Sequence, residues 1–279
     1  MMGYKRKTLI SKIVLTVLMA ALSILMLVPF VWMLSASFKP ENQIFDFPFR
    51  WIPKTPIVTN YIAVWGSTVP FYIFFLNSVK VSTLSVIGEV VTSALAAYAF
   101  AKINFRAKEF FFWIYVATLI FPAQMMLIPR FVLFRMAHLY NTHWTLILPG
   151  MFTAFGTFML RQFFQTIPDE LSQAAKIDGA NHFTVFRKIV VPLSFPAFSA
   201  LIIFQFVGSW NDYVSPLVYL RSEALATIPL GLKFFQDENS VSYGDVMAAS
   251  VCSLIPIFAV FLTFQRQFVA GIAMSGLKQ

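Results

Sequence analysis

Between Ile13 and Phe38 the chain carries no charged residue. A helix needs about 20 mostly apolar residues to cross a bilayer, and buried helices of soluble domains rarely run so long without a charge. Further apolar segments follow, and together they predict six membrane spans at about 13–36, 71–101, 109–133, 144–165, 194–220 and 245–265. Hydrophobic residues make up 58% of the chain and charged residues 12%, half of what a soluble domain carries. The predicted fold class is therefore an all-α integral membrane protein, a single membrane domain over residues 1–279. The first apolar run exceeds the h-region of a signal peptide and reads as an uncleaved first span. Cys252 is the sole cysteine, so helix packing rather than an internal disulfide must hold the fold.

The net charge of +9 is unevenly spread. Threading from a cytoplasmic N-terminus puts Lys5, Arg6, Lys7, Lys12, Lys102, Arg106, Lys108, Lys176, Arg187, Lys188, Arg266 and Lys278 on the inner side. Lys39, Arg50, Lys54, Arg221 and Lys233 fall outside, offset by Glu41, Asp46, Glu223, Asp237, Glu238 and Asp245. The basic excess inside predicts that both termini are cytoplasmic. Pro29, Pro122, Pro129, Pro196, Pro216 and Pro256 lie within the spans. Broken backbone bonds are tolerated in lipid where helices pack or a cavity opens, so the prolines suit a transport path as well as a kinked bundle.

One polar stretch stands apart, QAAKIDGANHFTVFRKIVVP at 173–192, within a loop predicted over 166–192. Pro168 is suited to a first helical turn, and Asp169 and Glu170 suit its positive end. Leu171, Ala174, Ala175 and Asp178 share one face. Gly179 is placed to end that helix in the left-handed conformation, and Asn181 to cap the next. Phe183, Phe186 and Val190 then repeat at helical spacing up to Pro192. The loop reads as a short helix, a tight turn and a second short helix, with alanines outward. It suits a plain structured loop or a docking knob for a soluble partner. A DNA-binding helix-turn-helix is disfavoured by the membrane spans on either side, and no nucleic-acid partner is expected.

This stretch resembles the EAA loop of ABC-importer membrane subunits at Ala174, Ala175, Asp178, Gly179, Ala180, Phe186, Ile189 and Pro192, with Gln173 where the family usually has glutamate. LVPFVWMLSASFKP, FMLRQFFQTIPDEL, FVGSWNDYVSPLVYL and QRQFVAGIAMSGLK are similar to the carbohydrate-uptake branch of that family. The resemblance implies a permease subunit of an ATP-driven sugar or oligosaccharide importer in a bacterial or archaeal cytoplasmic membrane. It implies a homologous second permease, a cytoplasmic ATPase dimer and an extracellular or periplasmic sugar-binding protein as partners. Gln173, Ala174, Ala175, Asp178, Gly179, Ala180 and Phe186 would then form the coupling loop seated in the ATPase. Gly276, Leu277 and Lys278 match the family's tail near the ATPase interface.

No phosphate-binding G-x-x-x-x-G-K-[ST] occurs; GIAMSGLK at 271–278 has its lysine one place late. The chain is expected not to be an enzyme and to hold no cofactor or metal, with ATP and magnesium on the partner ATPase. His138, His143 and His182 are scattered and read as loop or interface residues. For the solute path the candidates are Trp210, Asn211, Asp212 and Tyr213, polar groups at depth in span five, where Trp210 would stack on a sugar ring and Asn211 and Asp212 would bond hydroxyls. For the binding protein they are Gly231, Gln236, Asn239 and Tyr243 in the external loop over 221–244. Two other classes stay open on the residues alone. A proton-coupled transporter would use the intramembrane carboxylates Glu89 and Asp212, with Lys80 as a partner. A sensor or assembly protein would have no solute path.

Overall fold

The computed structural model describes residues 2–48, 50–66, 71–237 and 240–276. They are mostly helical and divide into two compact units, Met1–Pro70 with Phe234–Cys252 and Phe71–Lys233 with Ser253–Gln279.

The first unit opens with the helix Met2–Ser37. The most apolar 18-residue window of its Ser11–Ser37 portion has a mean hydropathy of 2.7 and is wholly unburied, with Ile24, Leu25 and Met26 all about two-thirds exposed. Such a surface is stable in lipid, where apolar exposure carries no penalty. The polar segment after it is ordered by backbone capture. Lys39, buried, donates from Nζ to the Arg50 carbonyl at 2.7 Å. Asn60, on the helix Thr59–Gly66, donates to the carbonyls of Ser37 and Lys39 at 2.9 and 3.0 Å. The Glu41 carboxylate accepts from the N–H groups of Tyr243 and Gly244, at 3.0 Å each, and so caps the last helix, Tyr243–Gly276. A two-residue hairpin, Gln236–Asp237 with Ser240–Val241, precedes it.

The second unit is organised on the helix Phe71–Lys102, which packs against Trp144–Met151, Ala154–Gln165 and Phe195–Trp210. Its buried face carries Ser78, Ser82, Ser85, Gly88, Ser93, Ala94 and Ala97. Small side chains let membrane helices approach closely and gain dispersion contacts that hydrophobicity cannot supply in lipid. Toward the loop, Ala94, Ala97 and Tyr98 join Leu160, Phe164, Val185, Val190, Phe198 and Leu201 in a continuous apolar core.

Three of the predicted spans are interrupted. The third, predicted over 109–133, bends by 94° between Lys108–Ile120 and Ala123–Met136. Pro122 is the cause: it drives Phe121 out of the helical region, to φ −77° and ψ 118°. The fourth is split into Trp144–Met151 and Ala154–Gln165, because Thr153 turns extended (φ −113°, ψ 135°) to cap the second piece, its hydroxyl accepting from Gly156 N–H at 3.1 Å. The fifth begins after a 76° bend at Ser194, runs over Phe195–Trp210, and resumes only at Val214–Tyr219. Among the described residues, three helices are by themselves long and apolar enough to cross a membrane, Ser11–Ser37, Phe71–Lys102 and Tyr243–Val269, and five if each bent pair is one span.

Candidate functional site

The polar loop forms the helix–turn–helix that its residues predict. Asp169–Ile177 is the first helix, with Pro168 at its N-cap (φ −56°, ψ 135°) rather than within its first turn. Gly179 lies at φ +85°, and its N–H and that of Ala180 close the turn onto Lys176 and Ala175. The Asn181 side chain accepts from Thr184 N–H at 2.8 Å, capping His182–Val185. The chain stays helical through Pro192 to Leu193, one residue past the expected stop, with a π-helical stretch over Phe186–Val190 ahead of Val191–Leu193.

The faces of the loop differ from the expected division. Ala174 is exposed, whereas Ala175, Ala180 and Phe186 pack on the apolar core beneath. The outward surface also carries Leu171, Ile177 and Phe183, exposed by 45%, 87% and 63%. Gln173, Asp178 and Gly179 are exposed beside them. The base is fastened by Lys102, whose ammonium donates to the Ile167 carbonyl and to Asp169, both at 2.6 Å. Arg161 fixes the preceding helix: it pairs with Glu109 at 2.6 Å, donates to the Phe100 carbonyl at 3.2 Å and lies 3.8 Å over the Phe112 ring. The loop is thus a knob whose underside is continuous with the apolar core and whose outward surface mixes apolar and polar residues.

The second feature is a cavity of about 410 Å³ within the second unit. The interrupted helices make it: Gln124 and Arg130 follow the break at Pro122, Thr153 sits at the break in span four, and Asp212 and Ser215 at that in span five. Ser85, Gln205, Tyr219 and Thr227 complete the lining. Gln205 donates to the Gly150 carbonyl at 2.9 Å, Asp212 accepts from Ser215 N–H at 3.1 Å, and Tyr219 donates to the Leu127 carbonyl at 3.2 Å. The hydroxyls of Ser85 and Thr227 are buried and have no protein partner.

Of the four path candidates, only Asp212 lines this cavity. Trp210 is 2% exposed; its ring stacks on Phe206 at 5.3 Å, meets Phe75 edge-on at 5.8 Å, and its N–H donates to the Ser253 carbonyl at 3.1 Å. It ties helices together and presents no face to a sugar. Asn211 and Tyr213 are exposed and outside the lining. Of the binding-protein candidates, Gly231 is buried, and a Cβ there would stand 2.2 Å from the Phe74 ring, so its place is packing rather than contact with a partner. Gln236 pairs with Val241 in the hairpin, Tyr243 is 40% exposed with its ring edge-on to Phe45, and Asn239 lies outside the described residues, as do Leu277 and Lys278. His143 bonds the Leu225 carbonyl at 3.0 Å and His182 faces the Tyr98 hydroxyl at 3.3 Å.

Arg130, Gln205, Ser85 and Thr227 were not singled out by sequence reasoning. A signal existed for two of them. Arg130 is a charge inside a predicted span, and Ser78, Ser82, Ser85, Glu89 and Ser93 recur at helical spacing in an apolar helix. Gln205 and Thr227 carry no such mark.

The profile of the binding-protein-dependent transport system inner membrane component matches residues 89–273. The chain is 33% identical to the arabinooligosaccharides transport system permease protein AraQ of Halalkalibacterium halodurans over 277 residues, 98% of this chain and 99% of the relative. It is 34% identical to the sn-glycerol-3-phosphate transport system permease protein UgpE of Salmonella typhi, over 84% of this chain and 86% of the relative. In fold it is similar to a chain of a bacterial ABC transporter involved in the import of the acidic polysaccharide alginate, with TM-score 0.83 and 24% identity, covering 93% of this chain and 96% of that one.

Proposed function

The chain belongs to the inner membrane components of binding-protein-dependent transport systems, and from that premise we propose that it is the membrane-spanning permease subunit of an ATP-driven sugar or oligosaccharide importer. Residues 1–279 act as one membrane domain crossing six times, with the bent third span, the split fourth and the interrupted fifth each counted once. Both termini lie in the cytoplasm, in a bacterial or archaeal cytoplasmic membrane. The partners are a homologous second permease, a cytoplasmic ATPase dimer that holds ATP and magnesium, and an external sugar-binding protein.

The observation that carries the reading is the knob over 169–193. Its exposed face of Leu171, Ala174, Ile177 and Phe183 is apolar in a segment on the water side of the membrane. Such a patch at a polar location marks a protein contact. Its underside is continuous with the core of Leu160, Phe164, Val185, Val190 and Leu201. A push on the knob is therefore delivered to the helices Ala154–Gln165 and Phe195–Trp210, because a packed core transmits displacement rather than absorbing it. Movement of the ATPase is converted into a change of access along the helices that enclose the cavity. Family membership sets aside proton-coupled transport and a sensor role, and the intramembrane carboxylate Glu89 is bonded to the Thr153 hydroxyl rather than to a lysine.

The test is reconstitution. The complex is recovered through a tag on this chain, placed in proteoliposomes with its binding protein, and screened against neutral and acidic oligosaccharides. Sugar-stimulated ATP hydrolysis with uptake that survives a protonophore is expected. Uptake that collapses with the proton gradient while ATP is plentiful refutes the proposal.

A further inference from the structure

Arg130 lines the cavity half-buried, on the helix Leu127–Met136 just past the 94° bend. The ion pairs among the described residues are Lys102–Asp169 and Arg161–Glu109, and Arg130 belongs to neither. Arg130 falls within the predicted third span, where a guanidinium is costly unless a counter-charge or water meets it. Asp212, the carboxylate in the same lining, caps the Ser215 N–H and stands beyond ion-pairing distance of Arg130. The buried hydroxyls of Ser85 and Thr227 complete no bond within the protein. The cavity thus holds a guanidinium outside ion-pairing distance of the carboxylate in the same lining, and that carboxylate can accept hydrogen bonds from hydroxyls. Its volume, about 410 Å³, falls in the range of small-molecule sites, about 300–1,000 Å³.

We propose that this cavity is a solute-contacting site of the chain and that Arg130 selects a sugar unit bearing an anionic group, a carboxylate or a phosphate. The solute's being a sugar rests on the import reading; the charge selection rests on the cavity. The planar guanidinium matches both anions with two parallel hydrogen bonds. Asp212 then accepts from a ring hydroxyl. A neutral sugar would fill the space but leave the guanidinium unmatched, and a site that buries an unmatched polar group discriminates strongly against the ligand that leaves it so.

The assay uses the whole complex in a Cys252→Ala background with Ser209→Cys, half-buried in the same lining, as reporter. The rate of modification by the uncharged reagent methyl methanethiosulfonate is read on this chain's peptides by mass spectrometry. The probes are glucose, glucuronate and glucose 6-phosphate. Glucuronate or glucose 6-phosphate should slow modification about tenfold more than glucose, and whichever protects better identifies the anion. Arg130→Gln should abolish the difference while the complex still assembles, and Arg130→Lys should restore part of it. Equal protection by glucose, no protection by any probe, or a difference that persists in Arg130→Gln overturns the proposal. Uptake is scored in a separate assay, so failure of the import reading and failure of the charge-selective cavity are told apart.

Discussion

The Thr153 hydroxyl donates to the Glu89 carboxylate while accepting from Gly156 N–H at 3.1 Å. One side chain therefore joins the buried middle of Phe71–Lys102 to the start of Ala154–Gln165, the helix that leads into the knob. The break in span four is thereby defined by a side-chain contact as well as by backbone geometry.

Removing that hydroxyl leaves a buried carboxyl and a helix end without their partner. Thr153→Val should lower stability by about 1–3 kcal/mol, the cost of an unsatisfied buried polar group. Glu89→Gln keeps an oxygen that accepts from Thr153 and should be much milder than Glu89→Ala. Thermal unfolding of the purified complex in detergent measures both; equal loss in the two Glu89 variants would show that the contact does not matter.

Lys102 and Asp169 form an ion pair of unequal burial, the lysine side chain 5% exposed and the aspartate 71%. The exposed partner is screened by water, so Asp169→Asn should change stability and uptake little, within about 1 kcal/mol. Lys102→Met also strips the Ile167 carbonyl of its donor at the root of the knob. It should reduce uptake per ATP hydrolysed while Asp169→Asn does not, and comparing the two ratios decides it.

Gly179 has φ +85° with nothing within 4 Å of where a Cβ would sit. The cost of a side chain is therefore conformational, about 1–3 kcal/mol for a branched residue. Gly179→Val should leave membrane abundance near normal and lower uptake severalfold, and Gly179→Asn should be tolerated better because asparagine adopts this region more readily. Wild-type uptake in Gly179→Val would remove the turn from the mechanism.

Trp210→Ala should destabilise by about 3–5 kcal/mol, as for other large buried aromatics. Trp210→Phe keeps the stack on Phe206 and loses the bond to Ser253, so it should be milder and leave the choice of sugar unchanged. A shift in sugar preference with Trp210→Phe would return this residue to the solute path.

Orientation is tested by single cysteines in a Cys252→Ala background. Ile177 is 87% exposed on the knob, and Ala224 is exposed in the loop proposed to lie outside. An impermeant thiol reagent added to intact cells should label Ala224→Cys and spare Ile177→Cys. The reverse pattern would invert the topology.

The first, second and last membrane helices were readable from the sequence because one-dimensional hydropathy decides them: a long charge-poor run has no stable alternative to a helix in lipid. The knob was readable too, since Gly179 and Asn181 act through local backbone geometry. What only the tertiary structure decided is where side chains point once helices break. Pro122 announced a possible bend, but the angle of 94° depends on what the two pieces pack against. Trp210 and Asp212 stand two residues apart in one motif, yet the first is sealed among Phe206, Phe75 and Ser253 and the second borders a cavity. Arg130, Gln205 and Thr227 are far apart in the chain and meet only there. Hydropathy records how greasy a residue is; which neighbour it faces is set by close packing between segments that the linear order does not bring together.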